Sequence, residues 1–246
     1  MLYTILLIWK KSKYYNTPAK ICNSLIEQAC RYVSEEQILN LIENDEANLA
    51  VDKLKTTLLV CGKFKATYFE YKSKAANECL ENPWRIQNNA LFMRLDTFLE
   101  RCHDVLDLTK TTIQFSKLSK VEIGGTKGKD LTSSIQEIYL DFQNAVDTFK
   151  AIEYDLMDAD AHKFEVDYST FCSAVKEIER RLGAVISSGV DDCLTVYGRF
   201  QLLDSFDSDL LHRSIIQDEL EGKYIELVHA FGTDLRIAQE QFLSSY

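Results

Sequence analysis

The sequence has 246 residues, of which 46% are hydrophobic. That is enough for one sizeable core or for several stacked helical units. Acidic residues number 38 against 28 basic ones, a formal net charge of −10. This balance argues against nucleic acid and anionic membranes as partners, because both repel such a surface, and it leaves room for a protein partner with a basic face.

The chain opens on MLYTILLIWKK. The apolar run from Leu2 to Trp9 is too short to span a bilayer. It lacks the basic n-region and small-residue cleavage site of a signal peptide. It starts with no capping residue before it, and it reads as a buried helix cut from something longer. Pro18 and Pro83 are the only prolines and glycines number nine, so long helices are expected throughout. Between Ala47 and Cys79 the only breaker is Gly62, which predicts one long or once-bent helix of about 50 Å. Leu91, Leu95, Phe98, Cys102 and Val105 step by four and three, placing an apolar stripe on a helix from about Asn88 to Leu108.

The stretch KVEIGGTKGKDLTSS, Lys120 to Ser134, gathers three glycines and lysines. As a phosphate loop it fails twice: Ile123 stands five before Gly128 where glycine is needed, and Asp130 follows Gly128-Lys129 where a hydroxyl should hold magnesium. The dinucleotide spacing GxGxxG is absent too. Gly124, Gly125, Lys127 and Gly128 therefore read as a structural turn, either a small hairpin begun by KVEI or a plain loop between helices. Asp130 or Ser133 is a candidate cap for the next helix, whose stripe is Ile135, Ile138, Phe142, Val146, Phe149 and Ile152.

The acidic YDLMDAD, Tyr154 to Asp160, offers caps for a third stripe: Phe164, Tyr168, Phe171, Val175, Ile178, Leu182 and Val185. Its four-three spacing fits a dimeric coiled-coil seam or an internal bundle face, and its aromatic knobs favour the bundle. On this helix Glu177 and Arg181 have the spacing of a surface ion pair. SSGVDDC predicts an end at Gly189 and a new start at Asp191. A last periodic segment runs from about Ser214 to Phe242.

Sites for chemistry are not specified. Seven cysteines, at 22, 30, 61, 79, 102, 172 and 193, are odd in number, widely spaced and without CxxC, as expected of reduced thiols filling core. His103 next to Cys102 points about 100° away on a helix, and neither HxxxH nor HExxH occurs. ENDEAN and DLMDADAH do not meet the calcium-loop pattern. No catalytic, cofactor or metal residue is identified.

Four segments nevertheless stand in a telling order: NPWRIQNNALFMRLDTFLERCHDVLDL, FSKLSKVEIGGTKGKDL, YDLMDADAHKFEVDYSTF and EIERRLGAVISSGVDDCLTVYGRFQLLDSF. Together they resemble the N-terminal tail of dynein heavy chains of axonemal type, over about Ile5 to Leu220. The resemblance is carried by Phe98, Glu100, Arg101, Cys102 and Asp104, and by Glu122 to Gly125 with Lys127-Gly128. Asp191-Asp192-Cys193 ahead of Phe200 to Leu203 completes it. The resemblance implies an all-α, elongated stack of helical bundles, with sub-bundles at 1–85 and 86–246 and one small glycine-containing hairpin or loop near 120–130. It implies dynein intermediate and light chains and other heavy chains as partners, at the ciliary axoneme of the cytoskeleton, without cofactor, nucleic acid or membrane. The ATP-hydrolysing ring lies far C-terminal in such proteins, so a chain of this kind is expected to have no motor activity.

Three departures accompany the resemblance. YYNTPAKICNSLIEQAC is shortened, Val190 replaces an aromatic before Asp-Asp-Cys, and Ser214 replaces a proline. A chain that stops mid-tail is also expected to leave apolar helix faces exposed. Two other readings remain: a helical tethering or adaptor rod unrelated to motors, and an enzyme built on a helical bundle.

Overall fold

The computed structural model describes residues 17–34, 47–77, 88–125 and 127–245. The helix expected at Leu2 to Trp9, most of ENDEAN, Cys79 and the boundary at 85/86 lie outside these residues. Eight α-helices occur among the described residues, with no strand. The expected all-α class is what is found.

Helix α1, Thr17–Ser34, carries Pro18 in its first turn, where a missing N–H costs nothing. Cys22, Ile26, Ala29 and Val33 are its buried face. Helix α2, Ala47–Asn77, is one unbroken helix that passes through Gly62. Its buried residues Ala50, Leu54, Thr57, Cys61, Phe64 and Tyr68 step by four and three without interruption. That continuous inward row explains why a single glycine does not break the helix. Helix α3, Asn88–Ser116, outruns the predicted end at Leu108. Thr109, Thr111, Thr112 and Phe115 are buried too, and the Thr109 hydroxyl donates to the Val105 carbonyl at 2.7 Å. Bonding back to its own helix lets a threonine enter a core, which the polar look of LTKTT conceals.

A short 3-10 turn, Lys117–Lys120, leads through extended Val121 and residues 122–124, which have no regular structure, to α4, Gly128–Lys150. The hairpin alternative for KVEI is not what forms. The Ile123 amide donates to the Thr132 hydroxyl at 3.1 Å instead of to a neighbouring strand. Asp130 and Ser133 do not cap α4, because the helix has already begun at Gly128 with Lys127 in the capping position. Asp130 lies in the first turn, where its charge suits the helix dipole.

Helix α5, Lys163–Asp192, also runs through its predicted stop at Gly189. A Cβ at Gly189 would lie 2.8 Å from a Leu131 methyl and 3.1 Å from one of Leu202. This glycine admits its neighbours closely and does not end the helix. The next helix, α6, Val196–Asp204, is capped by Thr195, which accepts the Gly198 amide at 3.0 Å, and not by Asp191. Helix α7, Ser208–Leu211, is capped by Asp207. Helix α8, Ser214–Ser244, begins at the residue that replaces the expected proline.

The described residues form two compact units, one within Met1–Lys110 and Glu153–Phe164, the other within Thr111–Ile152 and Glu165–Tyr246. In the first, α1 packs on α2, and the Phe92 ring receives edges from Tyr68 at 4.9 Å and Phe64 at 6.4 Å. In the second, Phe115 and Phe142 stack at 4.6 Å. Phe171 meets Phe142 and Phe149 edge-on at 6.2 and 5.5 Å. Such ring pairs add roughly 0.5–1.5 kcal/mol each beyond their burial. Phe171, Val175, Ile178 and Leu182 are buried, and Ile186, not Val185, completes the row. The third stripe is thus part of a multi-helix core. Val190 is buried as well.

Candidate functional site

The sequence singles out three sets of residues, and each set closes a turn. In the first unit Arg101 is buried on α3. Its guanidinium donates to the carbonyls of Leu156 at 3.2 Å, Asp158 at 2.6 Å and Ala161 at 3.2 Å. Its plane lies over the Phe164 ring, 3.9 Å from the centroid. A planar fork with five donors can serve three carbonyls and stack at the same time, which an ammonium cannot. The YDLMDAD segment is the object of this clamp and not a cap for α5. Asp155 accepts the Met157 amide at 2.9 Å and Asp158 that of Asp160 at 3.0 Å, making two local turns. Arg94 adds an exposed pair with Asp160 at 3.3 Å.

Beside Arg101, Cys102 is fully buried and His103 exposed, so the adjacent pair faces different surroundings. Burial pushes the thiols of Cys22, Cys30 and Cys61 up to about 11 from 9.0, and that of Cys102 higher still. Half-buried Asp104 is also raised, by desolvation, against the opposing pull of Arg101. These thiols stay protonated at neutral pH and are poor nucleophiles. Among the described residues no group of histidine, cysteine or acidic side chains is arranged to hold a metal ion, and no helix is long and apolar enough to cross a membrane.

The second set is the glycine turn. Gly125 has φ +99°, the left-handed region that suits a residue without Cβ. Gly124 is exposed in open space. The Gly128 amide returns to the Gly125 carbonyl at 3.2 Å. Gly128 is buried, and a Cβ there would strike the Ile123 carbonyl. Lys127 forms an ion pair with Asp192 at the end of α5. Lys127 and the Gly128 amide are thus both engaged within the protein.

The third set continues from that pair. Asp191 binds Lys223 of α8 at 2.7 Å, and Arg199 of α6 donates to the Cys193 carbonyl at 3.3 Å. Asp191-Asp192-Cys193 therefore gathers α4, α6 and α8 around the end of α5.

Sequence reasoning missed Arg213. It pairs with buried Glu179, donates to Thr111 at 3.1 Å and Gln114 at 2.8 Å, and lies 5.5 Å from the centre of the Phe115 ring. No local motif announces a contact spanning a hundred residues. The expected Glu177–Arg181 pair does not form either. Glu177 binds Arg180 at 2.7 Å, while Arg181 reaches Asp141 of α4 at 2.5 Å.

Comparison with known families decides what such turns belong to. All 246 residues match the family model described as dynein heavy chain, N-terminal region 1. The chain belongs to the dynein heavy-chain family. It is 46% identical to the dynein beta chain of the flagellar outer arm of Chlamydomonas reinhardtii, over 98% of this chain and 5% of the relative. It is 30% identical to dynein axonemal heavy chain 11 of Sus scrofa, over 98% of this chain and 6% of that protein. It is 31% identical to dynein axonemal heavy chain 9 of Homo sapiens, over 96% and 5%. The chain thus spans about one-twentieth of its relatives' length and corresponds to the heavy-chain tail. In this heavy-chain segment, among the residues that carry the resemblance, Gly125, Lys127, Gly128 and Asp192 lie at or beside helix ends, and Arg101 grips the loop before α5 from within α3.

Proposed function

We propose that this segment is a non-catalytic scaffold of an axonemal dynein tail. It presents helical surfaces to intermediate and light chains and to other heavy chains, and helps attach a motor to the ciliary axoneme. The observation that carries this reading is how the side chains divide. Arg101, Lys127, Asp191 and Asp192 hold turns, while large apolar side chains on α6 and α8 face solvent. Docking between helical proteins uses apolar anchors within a polar rim and needs no catalytic group. The degree of similarity favours an outer-arm beta-type chain: identity is 46% to the outer-arm beta chain and 27% to the inner-arm I1 beta chain of the same organism.

Affinity purification of the tagged chain from ciliary extract tests the proposal. It predicts enrichment of dynein intermediate chains. Recovery of membrane-traffic proteins without dynein subunits would support the tethering rod instead, and turnover of nucleotide by the purified chain would support an enzyme.

A further inference from the structure

We draw no further inference here: the strongest candidate, the exposed apolar face that Val228, Phe231, Leu235 and Phe242 form along the C-terminal half of α8, is an unpartnered surface patch, and nothing in the structure shows what covers it.

Discussion

A buried guanidinium costs free energy unless its donors are satisfied, and Arg101 satisfies them with the carbonyls of Leu156, Asp158 and Ala161, the last two of which also accept backbone amides. Arg101→Met is expected to leave the Leu156 carbonyl without its donor, loosen the loop and destabilise the chain by about 1–3 kcal/mol. Arg101→Lys is expected to rescue little, because an ammonium head cannot reproduce the fork. Urea midpoints at constant m-value read both changes. The glycine turn yields a ranked series. Gly128→Ala must move the Ile123 backbone and costs most, Gly125→Ala costs about 1 kcal/mol for its positive φ, and Gly124→Ala is nearly neutral. The buried thiols give a pH dependence of definite sign. Cys22 and Cys61 are protonated in the fold until about 11, whereas the unfolded chain ionises them near 9.0. Their contribution is full below pH 9 and drains away between about 9 and 11. Urea midpoints across that window should fall more steeply for wild type than for the Cys22→Ala, Cys61→Ala double variant.

Helices were legible wherever an apolar row continued. The rows on α3, α4 and α5 are read from the residues at three- and four-residue steps, and most of those side chains prove buried, with Ile152, Tyr168 and Val185 only half-buried, while α2 is read from its lack of breakers. Ends were less legible, because a local signal can serve another purpose. Gly189 looks like a stop, but its missing Cβ accommodates Leu131 and Leu202. The aspartates of YDLMDAD look like caps, but they organise the loop that Arg101 grips. Arg213 was not legible at all, since its partners come from α3 and α5. Gly62 permits a prediction at this scale. It lies within α2 with open space where a Cβ would go. Gly62→Ala is expected to raise stability by about 0.5–1 kcal/mol, visible as a higher melting temperature.

The two units share a logic at the scale of the whole molecule. Apolar side chains fill each core, ionised ones fix turns, and a further apolar row on α8 remains toward solvent. The glycine turn of this chain holds α4 to α5 through Lys127 and Asp192, whereas a nucleotide-binding protein would use such groups on phosphate. ATP added to the purified chain is therefore expected to leave its melting temperature unchanged, as a thermal shift assay would show. Sedimentation velocity of the purified chain mixed with purified dynein intermediate chains tests the account most directly. The account predicts a faster boundary containing both proteins. Separate boundaries at micromolar concentrations, each at the rate of the protein alone, would contradict it.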